Sequence, residues 1–102
     1  MMFARVSTFT GDAGHFEEGV AVFREQVLPE IEKQPGFEGA VLIADDDAQV
    51  AYSITFWKSE EELAATADSS KRLAEMAAQQ LGVKVQIAHC EVPFAKFPAA
   101  VV

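Results

Sequence analysis

Tyr52, Trp57, Arg72 and His89 are the side chains of this sequence whose types suit the handling of a small, electron-rich molecule. Trp57 brings an aromatic wall and an indole N–H, His89 and Tyr52 a proton to give or take, and Arg72 a cation to stabilise negative charge. Strand periodicity sorts them. In VAYSITFW, Tyr52, Ile54 and Phe56 point one way while Ser53, Thr55 and Trp57 point the other, so Tyr52 and Trp57 share a face only where a bulge intervenes. Trp57 equally suits a packing role that locks a helix to a sheet. Arg5, in step with Phe3 and Ser7, sits either in a cleft or on an exposed edge.

Metal and phosphate chemistry fit this sequence less well. His89 and Cys90 are adjacent, and on a strand they point to opposite faces, which prevents joint chelation of one ion. His89 then reads as a hydrogen-bonded structural histidine or a pocket acid or base. Cys90, the single cysteine, reads as a buried apolar residue without a disulfide partner. Asp45, Asp46 and Asp47 lack the spaced ligands and the glycine of a calcium loop and predict a solvated turn. The glycines of TGDAGHFEEG do not have the dinucleotide-binding spacing, and Asp12, Glu17 and Glu18 repel a phosphate there. No cofactor and no metal are expected.

Positioning the candidate residues takes a sheet and two helices, and residues 35–63 are pivotal. Phe37 and the unbroken apolar run from 40 to 44 predict a strand covered on both faces. The three aspartates supply a turn, and residues 50–57 return with aromatic and β-branched side chains, completing an antiparallel hairpin. Ser59 with Glu62 forms a capping box, and Glu60 and Glu61 favour the positive end of a helix, which starts near Glu60. Upstream, residues 2–10 predict a first strand. From His15 onward, Phe16, Val20, Phe23, Val27 and Ile31 form one face of an amphipathic helix that Pro35 and Gly36 terminate. Pro29 predicts a bend near Glu25 or a tightened final turn. A second helical segment covers 60–81 and ends at Gly82; its small polar middle, with Asp68 placed to cap a new turn, predicts two short helices at an angle. Residues 83–94 predict the fourth strand, followed by an irregular tail.

This order predicts one α+β domain over residues 1–102: a ferredoxin-like βαββαβ unit with a four-stranded antiparallel sheet and two helices on one face. The other face lacks a polar pattern, since AVLIA and VQIAHCEVPF are largely apolar. Exposing that surface costs about 25 cal/mol per Å². Face-to-face homodimerisation through the sheets is therefore expected.

Sixteen acidic and eight basic residues give a net charge of -8, which disfavours nucleic acid and anionic membranes as partners. Half of the residues are hydrophobic, which argues against disorder. MMFARVSTFT lacks a signal-peptide run and no stretch is long enough to span a bilayer, so a cytoplasmic protein is expected.

PGFEGAVLIADD, SITFWKSEEEL and the opening MFARVSTFTG together resemble the antibiotic biosynthesis monooxygenase family of the dimeric α/β barrel superfamily. The resemblance covers nearly the whole chain. It implies a homodimeric oxidoreductase that oxygenates a small apolar or aromatic metabolite without a cofactor; for such an enzyme the residue types available make Trp57 the pocket wall and donor, His89 or Tyr52 the proton handler and Arg72 the anion stabiliser. In the quinone-forming members, the junction tryptophan is matched by Trp57, while their asparagine, tyrosine and helical arginine fall on Ser53, Leu63 and Ala77. In the haem-degrading branch, the tryptophan and histidine of the second helix fall on Thr66 and Met76. These departures favour an alternative, a non-catalytic dimer that binds a metabolite or serves a structural role. A third reading, haem binding, rests on His89 or His15 as axial ligand.

Overall fold

The structure is a computed structural model that describes residues 1–11 and 16–97. Strand β1 (Met2–Thr10) is followed by α1 (Phe16–Val22), a π-helical stretch Phe23–Val27 and α2 (Leu28–Ile31). The hairpin β2 (Phe37–Asp45) and β3 (Val50–Trp57) comes next, then α3 (Glu60–Ala65), α4 (Ala67–Leu81) and β4 (Lys84–Val92). The sheet order is β2-β3-β1-β4, with every neighbour antiparallel. This is the ferredoxin-like α+β arrangement, with the helices on one face. The expected helix start at His15 lies outside the described residues.

Local chemistry accounts for the breaks in the helices. Pro29 has no N–H to offer the carbonyl four residues back. The preceding turn widens rather than tightens: Leu28 N–H bonds to Phe23 O, five residues away, which corrects the expected tightened turn and leaves the irregularity around Glu25. Ser59 caps α3 by accepting a hydrogen bond from Glu62 N–H at 3.2 Å. The second helical segment divides at Thr66, as its polar middle predicts. Asp68 does not cap the new helix; Thr66 takes the junction, donating its hydroxyl proton to Leu63 O at 3.0 Å. Gly82 ends α4 in the left-handed conformation, φ 70°, which glycine adopts without a Cβ penalty.

Between helices and sheet, Ile31, Trp57 and Leu63 form the buried core, flanked by Phe3, Phe23, Phe37 and Leu73. Phe37 meets the Trp57 ring edge-on, with centroids 5.8 Å apart. The other sheet face carries Val6, Val41 and Ile54 in one row and Thr8, Ile43 and Tyr52 in the next. Val41 is 36% and Ile43 48% exposed, so β2 is covered on one face only within a single chain. Phe97 leans edge-on against Phe56, with centroids 5.6 Å apart, while the remainder of the tail, 98–102, lies outside the described residues. Cys90, expected to be buried, is exposed; it pairs with Ala4 and shares the parity of this uncovered face. Among the described residues, no helix is long and apolar enough to cross a membrane.

Candidate functional site

The helix-facing row of β1 is Phe3, Arg5, Ser7 and Phe9. It lies beside Trp57, Thr55, Ser53 and Ala51 of β3 and Glu91, His89, Ile87 and Val85 of β4. A cavity of about 120 Å³ runs above this row, between sheet and helices. Its inner part is lined by Arg5, Ser7, Ser53, Thr55 and Ser70, and its sides by Val22, Phe23, Val27, Leu42, Leu73, Ala74 and Ala77. Ala44, Asp45, Asp46 and Gln49 also line it and are solvent-exposed, so they mark its mouth at the β2–β3 turn. The walls are mostly apolar, with the polar groups at the two ends.

Arg5 is the unusual group. It is only 3% exposed, yet no carboxylate among the described residues lies within ion-pair distance of it. Its guanidinium donates from Nε to His89 Nε2 at 3.1 Å, from Nη1 to Ser70 Oγ at 2.7 Å, and from Nη2 to Leu63 O at 2.7 Å and Thr66 Oγ1 at 3.2 Å. The Trp57 ring lies 5.5 Å from its Cζ, a cation–π distance. Four of the five N–H donors are thereby bonded, all to neutral acceptors; the fifth, on Nη1, has no acceptor among the described residues. Desolvation lowers the Arg5 pKa from its ordinary value, but a guanidinium in a protein stays protonated. The break between α3 and α4 serves this cation: it leaves Leu63 O, which also accepts from the Thr66 N–H and hydroxyl, open to Arg5, and turns Thr66 Oγ1 toward the guanidinium.

His89 lies opposite Arg5 on β4. Because its Nε2 accepts the Arg5 Nε–H, its own proton belongs on Nδ1. The residue remains solvent-exposed, but partial desolvation of the ring first, and then the Arg5 charge, lower its pKa below the ordinary 6.5. Below the ordinary histidine pKa the unfolded chain takes up a proton that the folded chain resists, so stability is full above that value and falls as pH drops through the lowered folded pKa. His89→Gln, which keeps an acceptor for Arg5, is expected to show a smaller loss of Tm between pH 7.5 and pH 5 than the parent. Identical losses in the two proteins would contradict this linkage.

The four candidate residues do not converge. Trp57 and His89 both touch Arg5, but neither lines the cavity; Trp57 is fully buried and its indole N–H donates to Thr55 Oγ1 at 2.9 Å. Tyr52 lies on the opposite face of the sheet, between Thr8 and Ile43. A bulge does exist, but at Glu38 of β2, where Phe37 pairs with Trp57 and Gly39 with Phe56; β3 alternates unbroken against β1. Arg72 is exposed and lines a separate depression with Glu30, Gln34, Ser69 and Met76, because its position on α4 faces away from the sheet. The cation of the cavity is Arg5, which the sequence left undecided between a cleft and an edge. Ser53 and Ala77 both line the cavity, presenting a hydroxyl and a methyl.

A helical layer on one face of a β2-β3-β1-β4 sheet, with a cavity between them, defines a ferredoxin-like domain. The chain belongs to the antibiotic biosynthesis monooxygenase family, whose model matches residues 2–78. No curated protein sequence matches it. Among solved structures it is similar to the ActVA-Orf6 monooxygenase of Streptomyces coelicolor in complex with nanaomycin D, at 22% identity over 95% of this chain and 92% of that one, with a TM-score of 0.71. It is likewise similar to SnoaB, a cofactor-independent oxygenase of Streptomyces nogalater, at 17% identity, 92% and 95% coverage and a TM-score of 0.66. A heme-degrading protein of Mycobacterium tuberculosis aligns at 21% identity, with 95% and 100% coverage and a TM-score of 0.68. At these identities the likenesses establish the fold.

Haem does not fit the described site. The cavity, about 120 Å³, is comparable to the roughly 150 Å³ engineered cavity that holds one benzene ring. His89 Nε2 is already the acceptor for Arg5, which sets a fixed cation beside any iron bound there. His15 lies outside the described residues.

Proposed function

We propose that this chain is a homodimeric protein of the cofactor-independent monooxygenase type, binding a small aromatic metabolite in the cavity beneath the helices of each subunit. The observation that carries this reading is an apolar cavity with a buried cation, Arg5, at its inner end that no carboxylate among the described residues pairs with. Oxygenation without a cofactor needs a deprotonated, electron-rich substrate held away from water. The substrate anion gives an electron pair from a ring carbon to O₂; the resulting hydroperoxide loses water and leaves a quinone. One oxygen atom stays on the ring and the other departs as water with the ring C–H and phenol O–H protons. In this scheme Arg5 stabilises the anion, while Trp57 and His89 hold Arg5 from beneath and beside it.

A second reading, a binding protein without catalysis, is favoured by the inner end of the cavity: no described side chain there both lines it and titrates near neutrality. Oxygen uptake with 1,3-dihydroxybenzene separates the two. The oxygenase reading expects protein-dependent uptake that His89→Ala lowers about tenfold or more, while Tyr52→Phe and Arg72→Ala leave it unchanged. Binding with no uptake would replace it by the second reading. Uptake insensitive to both Trp57→Phe and His89→Ala would remove those residues from the site.

A further inference from the structure

Resting on the reading of the cavity as a ligand site, we infer that Thr55 and Ser70 are specificity-determining residues: their hydroxyls are fixed as hydrogen-bond donors and select a ligand whose inner end is a proton-free acceptor, a carbonyl oxygen. Both line the cavity, both are buried, at 5% and 7% exposure, and both flank Arg5. Thr55 pairs with Arg5 across β1 and β3, and Ser70 reaches it from the first turn of α4.

A hydroxyl carries one proton and two lone pairs, and its rotation ordinarily lets it serve as donor or acceptor. Here the neighbours remove that choice. The Trp57 indole N–H donates to Thr55 Oγ1 at 2.9 Å, and Arg5 Nη1 donates to Ser70 Oγ at 2.7 Å. Indole and guanidinium nitrogens can only donate, so the direction of each bond is set and each hydroxyl proton points elsewhere. Bonding back to a helix carbonyl is a common outlet. Thr66 and Ser69 take it, donating to Leu63 O and Thr66 O. Ser70 makes no such bond, and neither its proton nor that of Thr55 has an acceptor among the described residues. Both protons are therefore left for the cavity that the two residues line. Ser7 and Ser53 line the same cavity, yet no donor-only neighbour among the described residues fixes their hydroxyls, and they add no selection of this kind. Trp57 thereby becomes a positioning residue, acting through Thr55 without lining the cavity.

Acetophenone and α-methylstyrene share one shape and differ only in C=O against C=CH2, and each carries the single aromatic ring that a cavity of this size takes. With the whole protein, acetophenone is expected to bind about ten- to a hundredfold more tightly, because the styrene leaves buried donors unpaired. The infrared C=O band of bound acetophenone, labelled with ¹³C at the carbonyl, is expected at a lower wavenumber than in hexane, the signature of hydrogen bonds to its oxygen. Ser70→Ala and Thr55→Val are each expected to lower the preference about three- to tenfold and to move the band back toward its hexane position. Ser70→Thr and Thr55→Ser keep the hydroxyl and are expected to restore both. Where a variant fails to fold, the preference and the band of the parent decide. Equal binding of the two probes, with the band at its hexane position, would overturn the donor assignment and leave the cavity as a ligand site. A lowered band that neither Ser70→Ala nor Thr55→Val moves would overturn the assignment to these two residues. No binding of either probe would overturn the cavity reading and this inference together.

Discussion

Trp57→Ala is expected to lower stability by about 3–5 kcal/mol, a large share of the roughly 5–15 kcal/mol that a domain has in total. Trp57 is 0% exposed, centres the cluster with Ile31 and Leu63, meets Phe37 edge-on and lies against the Arg5 guanidinium. Alanine leaves a void under the helices and removes the ring that faces a buried cation. Trp57→Phe keeps an aromatic ring but leaves Thr55 Oγ1 without its indole donor, and is expected to lose about 1–3 kcal/mol. Urea unfolding monitored by circular dichroism measures both. Equal, small effects would show that Trp57 does not organise the core.

Ile54→Glu is expected to weaken the proposed homodimer by more than about a hundredfold, since each copy must then bury an unpaired carboxylate at a cost of about 3–5 kcal/mol. Ile54 lies on β3 between Val6 and Val41, in the middle of the face opposite the helices. Val41 and Ile43 remain 36% and 48% exposed there, and an apolar sheet face of this kind marks an interaction surface. In the isolated chain Ile54 is partly exposed on this uncovered face, and circular dichroism of the variant confirms that it is folded before its assembly is compared. Sedimentation velocity of parent and variant at matched concentration reads the change. A monomeric parent, or a variant that sediments as the parent dimer does, would refute assembly through this face.

The fold was legible because its signals are local and redundant. Alternating and continuous apolar runs marked the strands, the Ser59 capping box marked α3, and Gly82 marked the end of α4, each placed as the periodicity predicts. Even the division of the second helical segment showed in the small polar residues around Thr66. The site was less legible, because a pocket is made by residues distant in sequence. Arg5 meets His89 84 residues away and Ser70 65 residues away, and nothing near Arg5 in the sequence announces either. Strand parity did separate Tyr52 from Trp57 in advance. It also set Arg5 on the row of Phe3 and Ser7, a usable signal: a single charged residue in a strand row without a partner of opposite charge is costly to bury unless something compensates it. Arg72 shows the reverse difficulty. Its type is right, but one residue's rotation along α4 turns it out of the cavity, while Leu73 and Ala74 face inward.

The location of the ligand is best tested by backbone and arginine-side-chain ¹H–¹⁵N spectra of the protein titrated with 4-nitrophenol above its ionisation pH. The largest shift is expected at the Arg5 side chain, with further shifts at Ser7, Ser53, Ser70, Ala74 and Ala77 and little change at Tyr52 or Ile43. Shifts confined to the open sheet face, or to the surface around Arg72 and Met76, with Arg5 unmoved, would contradict it.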